Sequence, residues 1–289
     1  MVKNGGFVLP SGSAVSLKAQ GKEKYHDPER QRRSATKPWE GATGRQGPPS
    51  EPRAPGRSRT SCDTSSVLGA DDHTVYQEPL ISVCEAYPGV RLWNEEKGFW
   101  LYSESSLLPG LRRKVTFLTA ISTANRAVKS WAFWNSNIIG ATWIGPRHTN
   151  FPEGTICAYE PQDSTWVFGN SLVELLDIYS VWALRHLHYE VFGRWPGPQA
   201  VVLPYERMLE FGDDECCGCG SSDLRYGNCC KESDLKRDRI AEAIQFCIFS
   251  GWRLRHPPTS ILHFMGNLGQ LPKISELIWQ LPPNLGTTT

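Results

Sequence analysis

No run of about 18 uncharged apolar residues occurs in the 289-residue chain, and no early apolar stretch of signal-peptide kind. A membrane-spanning helix and a secretory leader are therefore not expected, and a soluble, cytoplasmic protein is. A glycine-rich phosphate loop between a strand and a helix is missing too, which argues against adenylation of a carboxylate by this chain. Neither sign of charge dominates, since 31 Lys and Arg face 30 Asp and Glu. The basic excess is confined to the N-terminal end, so residues 71 to 289 are mildly acidic, which speaks against specific nucleic-acid binding. Internal repeats are absent.

Apolar content is unevenly spread. Residues 1 to 60 hold 12 Lys and Arg against 5 Asp and Glu and are rich in Gly, Pro and Ser, as in Gly47-Pro48-Pro49-Ser50 and Arg53-Ala54-Pro55-Gly56-Arg57. Such a segment buries too little area to offset the entropy of ordering it, so residues 1–75 are expected to form a disordered basic tail. Residues 76–289 are expected to form the folded domain, with a cysteine-rich insert near 213–233.

The texture changes from Tyr87 onward. Gly89-Val90-Arg91-Leu92-Trp93 and Gly98-Phe99-Trp100-Leu101-Tyr102 predict a β-hairpin across Asn94-Glu95-Glu96-Lys97. Residues 115–120 and 127–134 predict two more strands, and 139–144 another strand or an extended edge. The expected class is therefore α/β of the α+β kind, an antiparallel sheet packed against helices. Ser171 and Glu174 form a capping-box pattern for a helix running to Phe192. Leu172, Leu175, Leu176, Tyr179, Trp182, Leu187 and Val191 make its apolar stripe, and Gly193 its stop. Residues 234–252 predict a second packed helix, with Cys247 a buried small hydrophobe.

Nine cysteines are many for a reducing compartment, where they persist as thiols or metal ligands. Five of them crowd into residues 216–230. Cys216 and Cys219 have the two-residue gap of a zinc pair, and Cys229 with Cys230 would complete four soft ligands, although adjacent ligands are geometrically awkward. A structural zinc site, an oxidation-prone insert and an unliganded loop all remain open.

Cys157 stands apart from that cluster, in Gly154-Thr155-Ile156-Cys157-Ala158-Tyr159, after Arg147-His148-Thr149-Asn150 and before Asp163 and Trp166. A cysteine can attack a thioester and leave from one, so it can pass an acyl group without metal or cofactor. Asn150 or a loop N–H could stabilise the oxyanion. His148 reads as a loop anchor or a base. Asp163 could orient an incoming amine, or be an ordinary exposed loop carboxylate.

This order of features resembles the ubiquitin-conjugating enzyme fold, over about residues 87 to 200. It is most similar to the bacterial conjugating proteins of type II CBASS antiphage systems, through Gly154-Thr155-Ile156-Cys157-Ala158-Tyr159, Trp166, Trp182 and Gly193-Arg194-Trp195-Pro196-Gly197. The resemblance implies a thioester-forming nucleophile at Cys157, with His148 and Asn150 shaping the loop before it and steadying the oxyanion. Eukaryotic members carry His-Pro-Asn where this chain has His148-Thr149-Asn150. The implied donor is the C-terminus of a cyclic-nucleotide synthase, supplied by a separate activating enzyme and passed to a protein or small-molecule amine. The alternatives are a noncatalytic interaction module presenting Trp195 and neighbouring loops to a partner, and a zinc-supported regulatory protein.

Overall fold

The computed structural model describes residues 77–87, 89–105, 113–136, 140–159, 165–201, 203–219, 224–253 and 255–279, together with three short strands near the N-terminus. These strands, β1 (Val2–Lys3), β2 (Gly6–Val8) and β3 (Ala14–Ser16), pair antiparallel in sequence order. They fall inside the segment read from the sequence as a tail. The disorder expected for the rest of that segment lies outside the described residues.

The centre is a five-stranded antiparallel meander: β4 (Arg91–Glu95), β5 (Gly98–Glu104), β6 (Lys114–Ser122), β7 (Ala127–Ser136) and β8 (Gly140–Trp143). The expected hairpin is present, though its turn is only Glu96-Lys97, because Asn94 and Glu95 still pair with Phe99 and Gly98. Side chains alternate across each strand, and both faces are covered. Phe99, Leu101, Val115, Phe117, Ile121, Ala132 and Trp134 face one core; Trp100, Leu118, Ala120, Trp131 and Phe133 face another.

The first core is closed by α1 (Gln77–Ala86) and, after two short strands, β9 (Thr149–Asn150) and β10 (Thr155–Ile156), by α2 (Leu172–Phe192). The Ser171 hydroxyl accepts from the Glu174 N–H at 3.4 Å. Gly193, at φ 68°, takes the left-handed conformation and donates its N–H to the Tyr189 carbonyl. The predicted stripe is buried from Leu172 to Leu187, but Val191 is exposed. At about 100° per residue Val191 lies on the flank of the helix rather than beneath it. Buried Tyr87, just past α1, donates to Asp177 Oδ1 of α2 at 2.6 Å and pins the two helices together.

The second core is closed by α6 (Thr259–Met265) and a 3-10 turn (Ile274–Glu276), through Ile261, Ile274 and Leu277. Between the cores' covering helices come α3 (Pro204–Glu210), α4 (Lys231–Leu235) and α5 (Arg239–Phe249). The second expected helix is thus broken into two. Asp238 starts α5 by accepting from the Ile240 and Ala241 N–H groups. None of its residues is buried, and Cys247 is only half-buried, contrary to the core role expected for it. The reason is position: α5 lies over α3 and Phe151 rather than over the sheet, so Ile240, Ile244 and Ile248 stay exposed. Among the described residues no helix is long and apolar enough to cross a membrane.

Removing the Tyr87 hydroxyl strips a buried carboxylate of its donor. Tyr87→Phe is therefore expected to cost about 1–3 kcal/mol in urea unfolding, with the sheet's spectroscopic signature intact below the transition.

Candidate functional site

Strands β9 and β10 form a small hairpin, with Thr155 opposite Asn150 and Ile156 opposite Thr149. Its tip is fastened to the sheet. The Trp131 Nε1–H donates to the Glu153 carbonyl at 2.8 Å, the Trp143 Nε1–H to the Gly154 carbonyl at 3.3 Å, and Lys129 pairs with the Glu153 carboxylate. Gly154 sits at φ 62°, and an added Cβ would come within 2.7 Å of the Trp143 ring, so both backbone conformation and close approach require glycine there.

Cys157 is the first residue past β10 and is half-buried. Its N–H donates to the His148 carbonyl at 3.0 Å, and the same oxygen accepts the Trp182 Nε1–H of α2 at 2.9 Å. The Cys157 backbone is thus tied through one atom to the longest helix. On its far side Ala158 and Tyr159 pack against the first core, and Tyr159 lies 5.9 Å from the Trp166 ring. The Trp166 indole in turn donates to the Ser171 carbonyl at the start of α2.

The structure brings His148 and Asn150 into the same hairpin as Cys157. His148 occupies a left-handed conformation at φ 51°, unusual for a residue with a Cβ, and its ring stacks on Trp195 at 3.8 Å. Gln199 Oε1 accepts from Arg147 Nη2 at 2.9 Å and lies 3.0 Å from His148 Nε2, whereas the Gln199 amide donates to the Cys216 carbonyl at 3.0 Å and to Glu215. That orientation makes His148 the Nε2–H tautomer. Burial pushes its pKa down to about 3, so the ring is a neutral anchor and not a base near neutral pH. Asn150 spends its amide inside the hairpin, on the Ile156 carbonyl at 3.0 Å and Thr155 Oγ1 at 3.3 Å. Asp163 lies outside the described residues.

Trp195 is buried rather than presented. It is 4% exposed, wedged between His148 and His186, so it cannot serve as the partner-facing group of an interaction module. Beneath it runs a buried ion pair between Arg147 and Glu215. Glu215 Oε1 accepts from Arg147 Nη1 at 3.0 Å and from the Trp195 N–H at 2.7 Å. The Arg147 guanidinium also lies 4.7 Å from the Tyr189 ring centroid and 5.2 Å from that of Phe211. No sequence motif joins Arg147, Gln199 and Glu215, because the three positions lie far apart along the chain.

The cysteine-rich insert supplies a second constellation, with one ligand different from expectation. Cys217, Cys219, Cys229 and Cys230 converge, their sulfurs all within 4.8 Å of one another, and could hold a metal ion. Cys216 is not among them. It pairs in an antiparallel bridge with Arg225, whose Nη1 donates to its sulfur at 3.5 Å, and this alternation turns buried Cys217 inward instead. Adjacent Cys229 and Cys230 both reach the cluster because Cys229 ends a 3-10 turn at φ −123°, ψ −98° while Cys230 caps α4 in helical conformation. The Cys219–Cys229 and Cys229–Cys230 sulfur separations are 3.7 and 3.8 Å. A tetrahedron of Zn–S bonds of about 2.3 Å has edges of about 3.8 Å, so the donor set fits a soft tetrahedral cation.

His148 and His186 share a pH consequence. Burial pushes the His186 pKa down to about 3 as well, so between about 3 and the ordinary 6.5 the unfolded chain binds more protons than the folded one. Stability from both rings is complete above pH 6.5 and is lost as pH falls toward 3. Glu210, pushed up to about 7 by burial, acts in the opposite direction between its ordinary 4.5 and 7. Urea midpoints at pH 7, 5 and 4 should therefore fall less steeply in His186→Gln than in the wild type; equal slopes would contradict the buried neutral ring.

No family model, no curated protein and no solved structure matches the chain.

Proposed function

We propose that the chain is a ubiquitin-conjugating-like transferase that carries an acyl group as a thioester on Cys157. The observation supporting it is the placement of that cysteine: half-buried at the exit of β10, its backbone held by the His148 carbonyl, between an antiparallel meander and a long capped helix. A five-stranded antiparallel sheet with a long capped helix after Cys157 supports this reading, as do the motifs around Cys157 that resemble the ubiquitin-conjugating enzymes. In the first step the Cys157 thiolate attacks the carbonyl carbon of a donor thioester, and the donor's sulfur leaves as a thiolate. In the second an amine attacks the Cys157-bound carbonyl, the Cys157 sulfur leaves, and the amine's proton passes to solvent. His148 and Asn150 act as loop-shaping residues. By the same resemblance the donor is the C-terminus of a cyclic-nucleotide synthase, delivered by an activating enzyme in antiphage defence.

The four-thiol cluster is read as a structural Zn2+ site made by Cys217, Cys219, Cys229 and Cys230. It supplies no step of the transfer. A noncatalytic interaction module is the second reading, favoured by the exposed row Ile240, Ile244 and Ile248 on α5 beside exposed Trp252.

Intact-mass measurement of the chain coexpressed with its gene neighbours tests the transfer. A hydroxylamine-labile adduct mapping to Cys157 is expected, replaced in Cys157→Ser by a stable oxyester or by nothing. An adduct that persists unchanged in Cys157→Ser, or complex formation with no adduct under any donor, would leave the interaction module standing.

A further inference from the structure

The thiol cluster and the Cys157 hairpin are joined by a short chain of buried polar contacts. Ligand Cys217 is preceded by Cys216, whose carbonyl accepts from Gln199, and by Glu215, which is 1% exposed. Gln199 Oε1 takes Arg147 and His148; Glu215 takes Arg147 and the Trp195 N–H. Trp195 stacks on the His148 ring, and the His148 carbonyl holds the Cys157 N–H. The other side of the insert is also fixed to this wall. The Val201 N–H donates to the Gly218 carbonyl at 3.0 Å, and a Cβ on Gly218 would come within 2.7 Å of the Val201 nitrogen. Arg207 grips Asp234 with two hydrogen bonds of 2.9 and 2.8 Å and the Val201 carbonyl with a third.

We propose that a Zn2+ held by Cys217, Cys219, Cys229 and Cys230 is a positioning element for Cys157: it fixes the turn bearing Glu215 and the Cys216 carbonyl, and through Gln199, Arg147 and Trp195 it fixes His148. The proposal rests on the zinc site above and is independent of the transfer chemistry. Apolar packing does little to hold the insert's shape. Residues 213–230 are rich in Gly, Cys, Ser, Asp and Asn, and Cys217 and Tyr226 are the buried apolar side chains among those described. So little apolar burial does not offset the entropy of ordering the segment, and four metal–sulfur bonds do. Ligation releases the thiol protons to solvent and leaves the covalent structure unchanged. If the turn loosens, buried Arg147 loses the carboxylate that neutralises it, and the wall behind His148 loosens with it. Coupling of this kind is reciprocal, so whatever fixes the hairpin also tightens the metal.

Elemental analysis, the absorption of the Co2+-substituted protein and the rate of Cys157 alkylation by iodoacetamide, resolved by peptide mass spectrometry, test this on the full chain. The expected result is one metal per chain, a tetrahedral thiolate Co2+ spectrum, and a Cys157 alkylation rate that changes about fivefold or more on chelation and returns on adding Zn2+. Gln199→Ala leaves all four sulfurs in place. It should keep the metal while its Cys157 rate matches that of the metal-free wild type and no longer responds to chelator. A chain that binds no Zn2+ overturns the metal site. Bound Zn2+ with Cys157 rates in Gln199→Ala unchanged from wild type overturns the coupling. No acyl donor enters either measurement, so failure of the transfer chemistry is read separately, by the missing adduct.

Discussion

The His148 carbonyl oxygen accepts two hydrogen bonds, one from the Cys157 N–H and one from the Trp182 indole. One atom therefore sets both where the hairpin ends and how it lies against α2. A carbonyl has two lone-pair directions, and here they join a strand exit to a helix that is itself clamped on the sheet by its buried stripe. For that oxygen to face both donors the backbone must turn sharply, and His148 does so at φ 51°. A residue with a Cβ occupies that region at a cost of about 1–3 kcal/mol, which persists only where neighbours over-determine it. The neighbours here are the stack on Trp195 and the bond to Gln199.

Those neighbours lean on buried charge. Arg147 with Glu215 and Arg207 with Asp234 are two ion pairs whose members are nearly inaccessible, and they bracket the segment from Trp195 to Val201. Replacing such a pair with apolar residues is often neutral for stability, whereas losing one member is costly. Each carboxylate accepts from more than one donor or in bidentate fashion, so the pairs fix direction as well as proximity. Hydrophobic packing alone would hold the sheet and α2; it would not specify where a loop carbonyl points.

The sheet and α2 were legible in the sequence because their signals are local. Apolar runs bounded by turns place β4 to β8, and Ser171 and Gly193 end a stripe of period 3.6. Helices α1 and α6 were not, being short, and α6 covers the sheet only because Trp131-Ala132-Phe133-Trp134 buries alternate residues on opposite faces. The long helix expected over 234–252 failed for a similar reason: its periodicity is real, but Asp238 caps a new start and the apolar face meets little. At the site, Cys157, His148 and Asn150 were legible through the motifs that resemble the conjugating family, and Arg147, Gln199 and Glu215 were not, since tertiary folding alone unites them. The substitution of Cys217 for Cys216 as a ligand was beyond sequence reasoning, because adjacent cysteines point opposite ways and only the bridge to Arg225 decides which turns inward.

The same hydrogen bonds that hold the hairpin limit what it can do chemically. Among the described residues, the Cys157 N–H is spent on His148, the Asn150 amide on Ile156 and Thr155, and the His148 ring is neutral with its Nε2–H engaged by Gln199. A tetrahedral intermediate at Cys157 would thus draw neither a base from the His148 ring nor an uncommitted donor from the Asn150 amide or the Cys157 N–H. Thioester exchange tolerates the first lack, since a thiolate needs no base and leaves as readily as it attacks. The second is more demanding, because one well-placed oxyanion donor is worth about 3–4 kcal/mol. In the transfer proposed for Cys157, a docked partner would then have to bring that donor.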